Sequence, residues 1–235
     1  MTSAAYHIII GSRDPANGAN AVSALADDPG TKGTVSTVTL DITSPSSIAA
    51  AAAAVASTHG RLDVLVNNAG VYADLPGTAL PEALAAALPT NVVGTARATE
   101  AFLPMLMGES KDGATPRRLV FLTSAMGSMA CATDPASGHY GPYGDGYRAS
   151  KAGVNMLMAQ YTARLGMGES GGKVKVFGVD PGFSATDING GDKEVLKKMG
   201  AREPEVSATV VAGVVRGERD NEAGKVVDEA GIVPW

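Results

Sequence analysis

The chain has 235 residues, a length that a single α/β domain commonly occupies. Hydrophobic residues make up 45% and charged residues 18%, which excludes a disordered chain and allows a sizeable core. The net charge of −5 argues against a nucleic-acid partner, which would call for basic side chains gathered on one face.

In chain order, short β-rich runs alternate with longer helical ones. Strands are expected at Tyr6–Ile10, Val35–Leu40, Leu62–Asn67, Leu119–Thr123, Val174–Val179 and Lys225–Val227. Their continuous apolar character fits a parallel sheet covered by helices on both faces. Helices are expected near 16–27, 45–58, 80–107, 146–165 and 204–216, with Ser44–Pro45 a good helix entrance. The alternation reads as one Rossmann-like, doubly wound α/β domain over 1–235, whose ligands gather at the carboxyl ends of the strands. Met1 to Tyr6 carry no positive charge and no long apolar run, which argues against a secretory leader. No stretch is apolar for the roughly 20 residues a membrane span needs.

Minor features have plain readings. The single cysteine, Cys131, excludes an internal disulfide, fits a reducing cytoplasmic setting and reads as a small buried thiol. Arg117–Arg118 and Lys193/Lys197/Lys198 read as solvated loop and helix faces. His7, His59 and His139 lack metal-ligand spacing, so no metal is expected. Met126, Met129 and Phe183 could line an apolar pocket or pack in the core. Tyr140 and Tyr143 lie in a Gly/Pro-rich loop that could cover a site.

The most specific chemical signal is Tyr147-Arg148-Ala149-Ser150-Lys151. A spacing of four places the phenol and the ammonium on one helix face, one turn apart. A nearby ammonium favours the phenolate and would bring Tyr into useful acid–base range. Ser124 follows a buried strand, where a hydroxyl can bond a substrate oxygen. Asn67-Asn68-Ala69-Gly70 closes another strand with small residues that let a ligand approach. Asn91 sits in a helical region where Asn is not a favoured filler. Pro181-Gly182-Phe183-Ser184-Ala185-Thr186 follows the 174–179 strand and opens another ligand-facing loop.

As an ordered set, NNAG, Asn91, Ser124, YRASK and PGFSAT resemble the short-chain dehydrogenase/reductase family over nearly the whole chain. The 23-residue gap from Ser124 to Tyr147, YRASKAGVNML, DPGFSATDINGG and the terminal GIVPW are most similar to its carbonyl-reductase branch. The resemblance implies that Tyr147 is the proton donor to a carbonyl, or the base toward an alcohol. Ser124 would hold the substrate oxygen, Lys151 would bind the nicotinamide ribose and depress the Tyr147 pKa, and Asn91 would support a proton relay through water. It implies NADP(H) as cofactor, met by Arg13, Asp41, Ile42, Asn68, Ala69, Gly70, Tyr147, Lys151, Pro181, Gly182, Ser184 and Thr186. Arg13 would suit a 2′-phosphate and Asp41-Ile42 would flank the adenine. The expected substrate is a small to medium lipophilic carbonyl or alcohol. Family members often pair through the helices near 91–107 and 147–165, although the branch includes monomers.

One family motif is absent. The glycine-rich turn that presents N–H groups and a helix N-terminus to the pyrophosphate has only Gly11-Ser12-Arg13-Asp14-Pro15-Ala16-Asn17-Gly18 as its nearest match. Those glycines are seven apart, and the segment stands too close to Asn67 for the family's spacing. Register is restored if Gly-Ser-Arg-Asp ends the second strand, which leaves the sheet one strand short. The 6–10 strand then slides into the vacancy, bringing the Ser12–Gly18 loop to the phosphate site, or a partner chain fills it, or the fold is compromised. Two other readings keep the same residues: a nucleotide-free lyase or isomerase, and a non-catalytic scaffold.

Overall fold

The computed structural model describes residues 6–108, 117–166, 173–189 and 191–235. Their contacts gather into two compact units, Met1–Arg61 and Leu62–Trp235.

The first unit begins with β1 (His7–Ser12), α1 (Pro15–Ala26), β2 (Thr34–Thr39) and α2 (Pro45–His59). The two strands pair in parallel, Ile8 opposite Val35 and Ser12 opposite Thr39. The helices start where local chemistry allows. Asp14 caps α1 by accepting from the Ala16 and Asn17 N–H groups, and Ser44 caps α2 by accepting from Ser47 N. Each is followed by Pro at the first helical position, where a missing N–H costs nothing. Burial is shallow. No residue of β1 is fully buried, α1 buries only Gly18, and α2 buries Ile48, Ala51 and Val55.

The second unit carries a five-stranded sheet in the order β3 (Val64–Asn67), β4 (Arg117–Leu122), β5 (Val174–Val179), β6 (Val226–Val227), β7 (Ile232–Val233). The first four are parallel. β7 returns antiparallel, a two-residue edge strand that the sequence reading does not contain. Every residue of β4 is buried. Its side chains alternate, as the pleat requires. Leu119 and Phe121 pack with Val154, Met158 and Tyr161 on one face, while Val120 and Leu122 pack with Phe177, Val179 and Val214 on the other. α4 (Thr95–Met107) and α6 (Asp145–Gly166) cover the first face, and α8 (Pro204–Arg216) covers the second. The shorter helices are α3 (Leu80–Leu88), α5 (Met129–Thr133) and α7 (Lys193–Lys198).

The doubly wound α/β class therefore stands. β1 pairs with β2 and with no other described strand, and β3 pairs only with β4.

Two details correct the sequence reading. Arg117 and Arg118 are buried at the start of β4, not solvated. Arg118 forms a fork with Asp220, at 2.8 and 3.0 Å from one guanidinium nitrogen, and Lys175 joins the same carboxylate at 3.2 Å. Arg117 reaches the Leu106 carbonyl at 2.8 Å and the Gly108 carbonyl. A central strand buries the long stems while carbonyls and a carboxylate meet the charged ends. The 80–107 helix is broken into α3, a π-helical turn at Pro89–Gly94 and α4. Pro89 supplies no N–H to the ladder, and the Thr95 N–H reaches back five residues to the Thr90 carbonyl.

Candidate active site

The carboxyl ends of β3, β4 and β5 lie side by side, and the second unit's candidate residues gather there. α6 brings Tyr147 and Lys151 to this edge. Its buried face runs through Gly146, Ser150, Lys151, Val154, Asn155, Met158, Tyr161 and Leu165, so Lys151 points inward with the core. Lys151 Nζ donates to the Leu122 carbonyl at 2.9 Å and stands 5.4 Å from the centre of the Tyr147 ring.

α6 is held against the turn that follows β4. Ser124 leaves the strand in extended backbone, and its Oγ accepts from Met126 N at 3.2 Å. Its hydroxyl hydrogen can therefore face a substrate oxygen. Behind it, Gly127 has no room for a side chain, since a Cβ would stand 2.5 Å from the Lys151 carbonyl carbon. Asn155 ties the two elements, with Thr123 Oγ1 donating to its Oδ1 at 2.5 Å and its Nδ2 donating to the Gly127 carbonyl at 3.2 Å.

The π-helical turn points Asn91 into the same region, where it is almost completely buried. Its Nδ2 donates to the Val71 carbonyl at 2.9 Å and to Ser150 Oγ at 2.8 Å, and its Oδ1 accepts from Val71 N at 2.8 Å. Asn91 thus clamps the loop after β3 to α6. A relay through water has only one Oδ1 lone pair left to use. Gly70 lies between the two polar groups: a Cβ there would be 3.4 Å from Asn91 Oδ1 and 3.6 Å from Lys151 Nζ. Asn68 and Ala69 beside it are exposed, and Asn67 Nδ2 is turned to Thr99 Oγ1 at 3.0 Å.

The loop after β5 supplies Pro181, Gly182, Ser184 and Thr186. Gly182 has φ +79°, a turn conformation that favours glycine. Ser184 Oγ donates to Ser207 Oγ at 2.6 Å, and Thr186 N bonds the Ser184 carbonyl. Phe183 is exposed, as are Met129, Tyr140 and Tyr143, whereas Met126 is half-buried. Tyr143 lies under the Arg148 guanidinium, 5.1 Å from its ring centre, which folds the Gly/Pro-rich loop onto α6. Cys131 is half-buried against the core.

Three residues of this region escape sequence reasoning. Asp74 accepts from Gly146 N and Tyr147 N, both at 2.8 Å, and so caps α6 from a distant loop. Tyr72 places its ring 5.2 Å from that of Tyr147. Asp180, buried at the end of β5, accepts from Ala125 N at 2.7 Å and from Gly182 N at 2.8 Å. A carboxylate in a loop reads as ordinary solvated charge until its N–H partners are known. The available signal was position: Asp180 sits directly between an apolar strand and a Pro-Gly turn.

The electrostatics differ from the simple expectation for Tyr147. Burial, then the Asp180 carboxylate, then Tyr72 push its phenol well above the usual value rather than below it. Burial pulls the Lys151 ammonium down to about 8, with Asp180 opposing that fall. Without a ligand, desolvation therefore outweighs attraction between the two, and the phenol keeps its proton.

The first unit holds the other candidates. Arg13 and Asp41 follow the paired ends of β1 and β2, where Leu40 N bonds the Ser12 carbonyl. Arg13 is exposed, and its charge helps to lower the Asp41 carboxyl, after the bonds Asp41 accepts from the Thr43 hydroxyl and N–H. Ile42 is buried. Among the described residues no His/Cys/Asp/Glu group could hold a metal, and no helix is long and apolar enough to cross a membrane. The His7 and His59 rings meet at a tilt, 4.8 Å between centres, and His7 bonds Thr34 and Ser36.

Residues 1–196 match the family model for short chain dehydrogenase. The chain is 33% identical over 249 aligned positions to short-chain dehydrogenase/reductase tropE of Talaromyces stipitatus, covering 99% of this chain and 89% of that protein. It is 32% identical over 252 positions to short-chain dehydrogenase/reductase eupG of a Phoma species, covering 98% and 88%. Its fold is similar to that of NADPH-bound carbonyl reductase from chicken fatty liver, with TM-score 0.70 and 23% identity over 97% of this chain and 86% of that one. It is also similar to 3-ketoacyl-(acyl-carrier-protein) reductase from Brucella melitensis complexed with NADH, with TM-score 0.73 and 21% identity over 94% and 85%.

Proposed function

Because this chain belongs to the short-chain dehydrogenase/reductase family of oxidoreductases, we propose that it reduces a carbonyl, or oxidises the alcohol, of a small to medium lipophilic substrate with NADP(H). The observation that carries this reading is the buried Lys151 stacked by Tyr147 at the end of β4, with Ser124 on the adjoining turn. In the reducing direction the substrate oxygen accepts from the Ser124 hydroxyl and takes its proton from Tyr147. A phenol that keeps its proton is suited to that donation. Lys151 spends one N–H on Leu122 and has two more for ribose hydroxyls. Asn91 holds the loop after β3 against α6. A reduced nicotinamide, when bound, supplies hydride.

The residues present fit the cofactor unevenly. Lys151, Tyr147, Asn68, Ala69, Gly70, Pro181, Gly182, Ser184 and Thr186 lie on the elements at the carboxyl ends of β3, β4 and β5 and would suit the nicotinamide and its ribose. Arg13, Asp41 and Ile42 suit a 2′-phosphate and adenine. The Gly11–Gly18 segment does not suit a diphosphate, because the Asp14 carboxylate already takes the first N–H groups of α1. A second anion there meets a like charge. This occupied helix end favours one competing reading, a nucleotide-free lyase or isomerase using the same Tyr147, Ser124 and Lys151.

Calorimetric titration with NADPH and NADH separates the two. The expected outcome is NADPH binding at one site per chain. Tyr147→Phe, which loses one hydroxyl contact to the cofactor, then still binds the nucleotide and loses at least about a hundredfold in carbonyl reduction. Failure of a cooperatively folded protein to bind either nucleotide would sink the oxidoreductase reading, and turnover without nucleotide would establish the other.

A further inference from the structure

Asp180 touches two ligand-facing loops at once. It is buried, and its backbone N–H is fixed by the Val227 carbonyl at 2.9 Å. Oδ2 takes Ala125 N, in the turn that Ser124 begins, and Oδ1 takes Gly182 N, in the loop after β5. Lys151 is bonded to the Leu122 carbonyl, three residues before the Ala125 N–H that Asp180 holds, and stands 5.4 Å from the centre of the Tyr147 ring. We propose that Asp180 is a positioning residue: it latches the Ser124 turn to the Pro181–Gly182 loop and fixes its carboxylate charge at the sheet end that carries Tyr147 and Lys151.

The neighbouring groups do not duplicate this role. α6 contributes Tyr147 and Lys151 themselves, and the loop after β3 contributes Tyr72. Tyr72 is half-buried and its phenol is raised by burial, then by Asp74 and Asp145, so it brings no opposite charge. Asp74 is spent on the first N–H groups of α6. Beyond Gly182 stands Arg202, bound to Glu229. Asp180 is the carboxylate whose charge acts on both Tyr147 and Lys151, opposing the loss of the Lys151 proton that burial promotes.

This inference deepens the proposed reaction and rests on Tyr147 being its acid, but its first test needs neither nucleotide nor substrate. The Lys151 side chain is titrated by NMR in protein labelled with ¹³C-lysine, and Lys151→Met identifies the signal. Asp180→Asn is expected to lower the Lys151 midpoint by about one unit, because it removes the nearby negative charge. Asp180→Ser, which still accepts one N–H bond, should do the same and covers the case in which the amide variant does not fold. An unchanged midpoint in a folded neutral variant overturns the proposal. With an active enzyme, the alkaline limb of the carbonyl-reduction profile should move to lower pH by a similar amount. A drop in rate with no movement of that limb would make Asp180 a latch only and also overturn it. A shifted Lys151 in a protein that reduces nothing would keep the electrostatic assignment and defeat the oxidoreductase reading.

Discussion

The two units of this chain are built from the same kind of material and differ in depth. In the first, β1 has one neighbour, its residues remain at least partly exposed, and Ile8 is 51% exposed. In the second, β4 lies between two strands with all six residues buried and a helical layer on each face. A parallel strand gains stability chiefly from burial on both faces, so β1 is a strand held by its ladder and β4 one held by its core. The proposed acid–base chemistry sits wholly on the deep unit. The shallow unit carries only residues proposed to select the nucleotide.

The contrast can be attacked first where the effect is largest. Phe177 is fully buried in the core cluster with Val120, Val179 and Val214. Phe177→Ala is expected to cost about 3–5 kcal/mol, from lost transfer energy and the cavity left behind. Urea unfolding measures it. A cost below about 1 kcal/mol would mean that the second unit is no better packed than the first.

The next effect is electrostatic. Lys151 pays for its position by a depressed pKa of about 8, against an ordinary value of 10.5. Between those values the unfolded chain binds the extra proton, so stability rises with pH across that window. Tyr147 is raised instead, and its unfolded form loses a proton above about 10, which lowers stability there. From pH 8 to 10 the Lys151 contribution is therefore expected to reach about 2 kcal/mol. Lys151→Met should abolish this rise. An equal rise in the variant would show that the buried ammonium is not its source.

How much of this was legible in the sequence follows the same division of depth. β5 is read with its observed limits, and α2, α6 and α8 within a residue at either end, because apolar period and caps agree locally. Tyr147, Lys151 and Ser124 are legible because their spacing is chemistry as well as sequence. Arg117 and Arg118 are not, since Arg118 is met by Asp220, more than a hundred residues away, and Arg117 by the carbonyls at the end of α4, neither of which local sequence pairs with a strand cation. The π-helical turn lies between two runs of good helix formers, and its own poor formers, Pro89, Asn91 and Gly94, mark a weak point without specifying its kind. Asp74 and Asp180 work by accepting N–H bonds, Asp74 from the start of α6 and Asp180 from Ala125 and Gly182; Asp180 has only its place between an apolar strand and a Pro-Gly turn as a local signal, and Asp74 has none. β7 has two residues and owes its existence to β6 alone.

A smaller effect belongs to nucleotide choice. Arg13 is exposed, with Asp41 as its electrostatic neighbour. If Arg13 meets a 2′-phosphate, Arg13→Ala should weaken NADPH binding about tenfold and leave NADH nearly untouched. Unequal binding of the two nucleotides would persist in the variant if selection lay elsewhere. Equal losses for both would remove the phosphate contact from the argument.

The smallest expected effect tests the shallow unit directly. Ile8 lies on β1 with its side chain about half exposed, and β1 is paired on one edge only. Truncating such a side chain removes little buried surface and opens no cavity. Ile8→Ala is therefore expected to cost less than about 0.5 kcal/mol. Hydrogen exchange reports on the same strand, since an edge ladder with few buried contacts opens locally long before the whole chain unfolds. Amides of β1 should exchange at least about a hundredfold faster than those of β4. A large penalty at Ile8 together with slow exchange along β1 would show that something covers that strand in solution. The comparison would then turn from a difference in depth into a difference in partners.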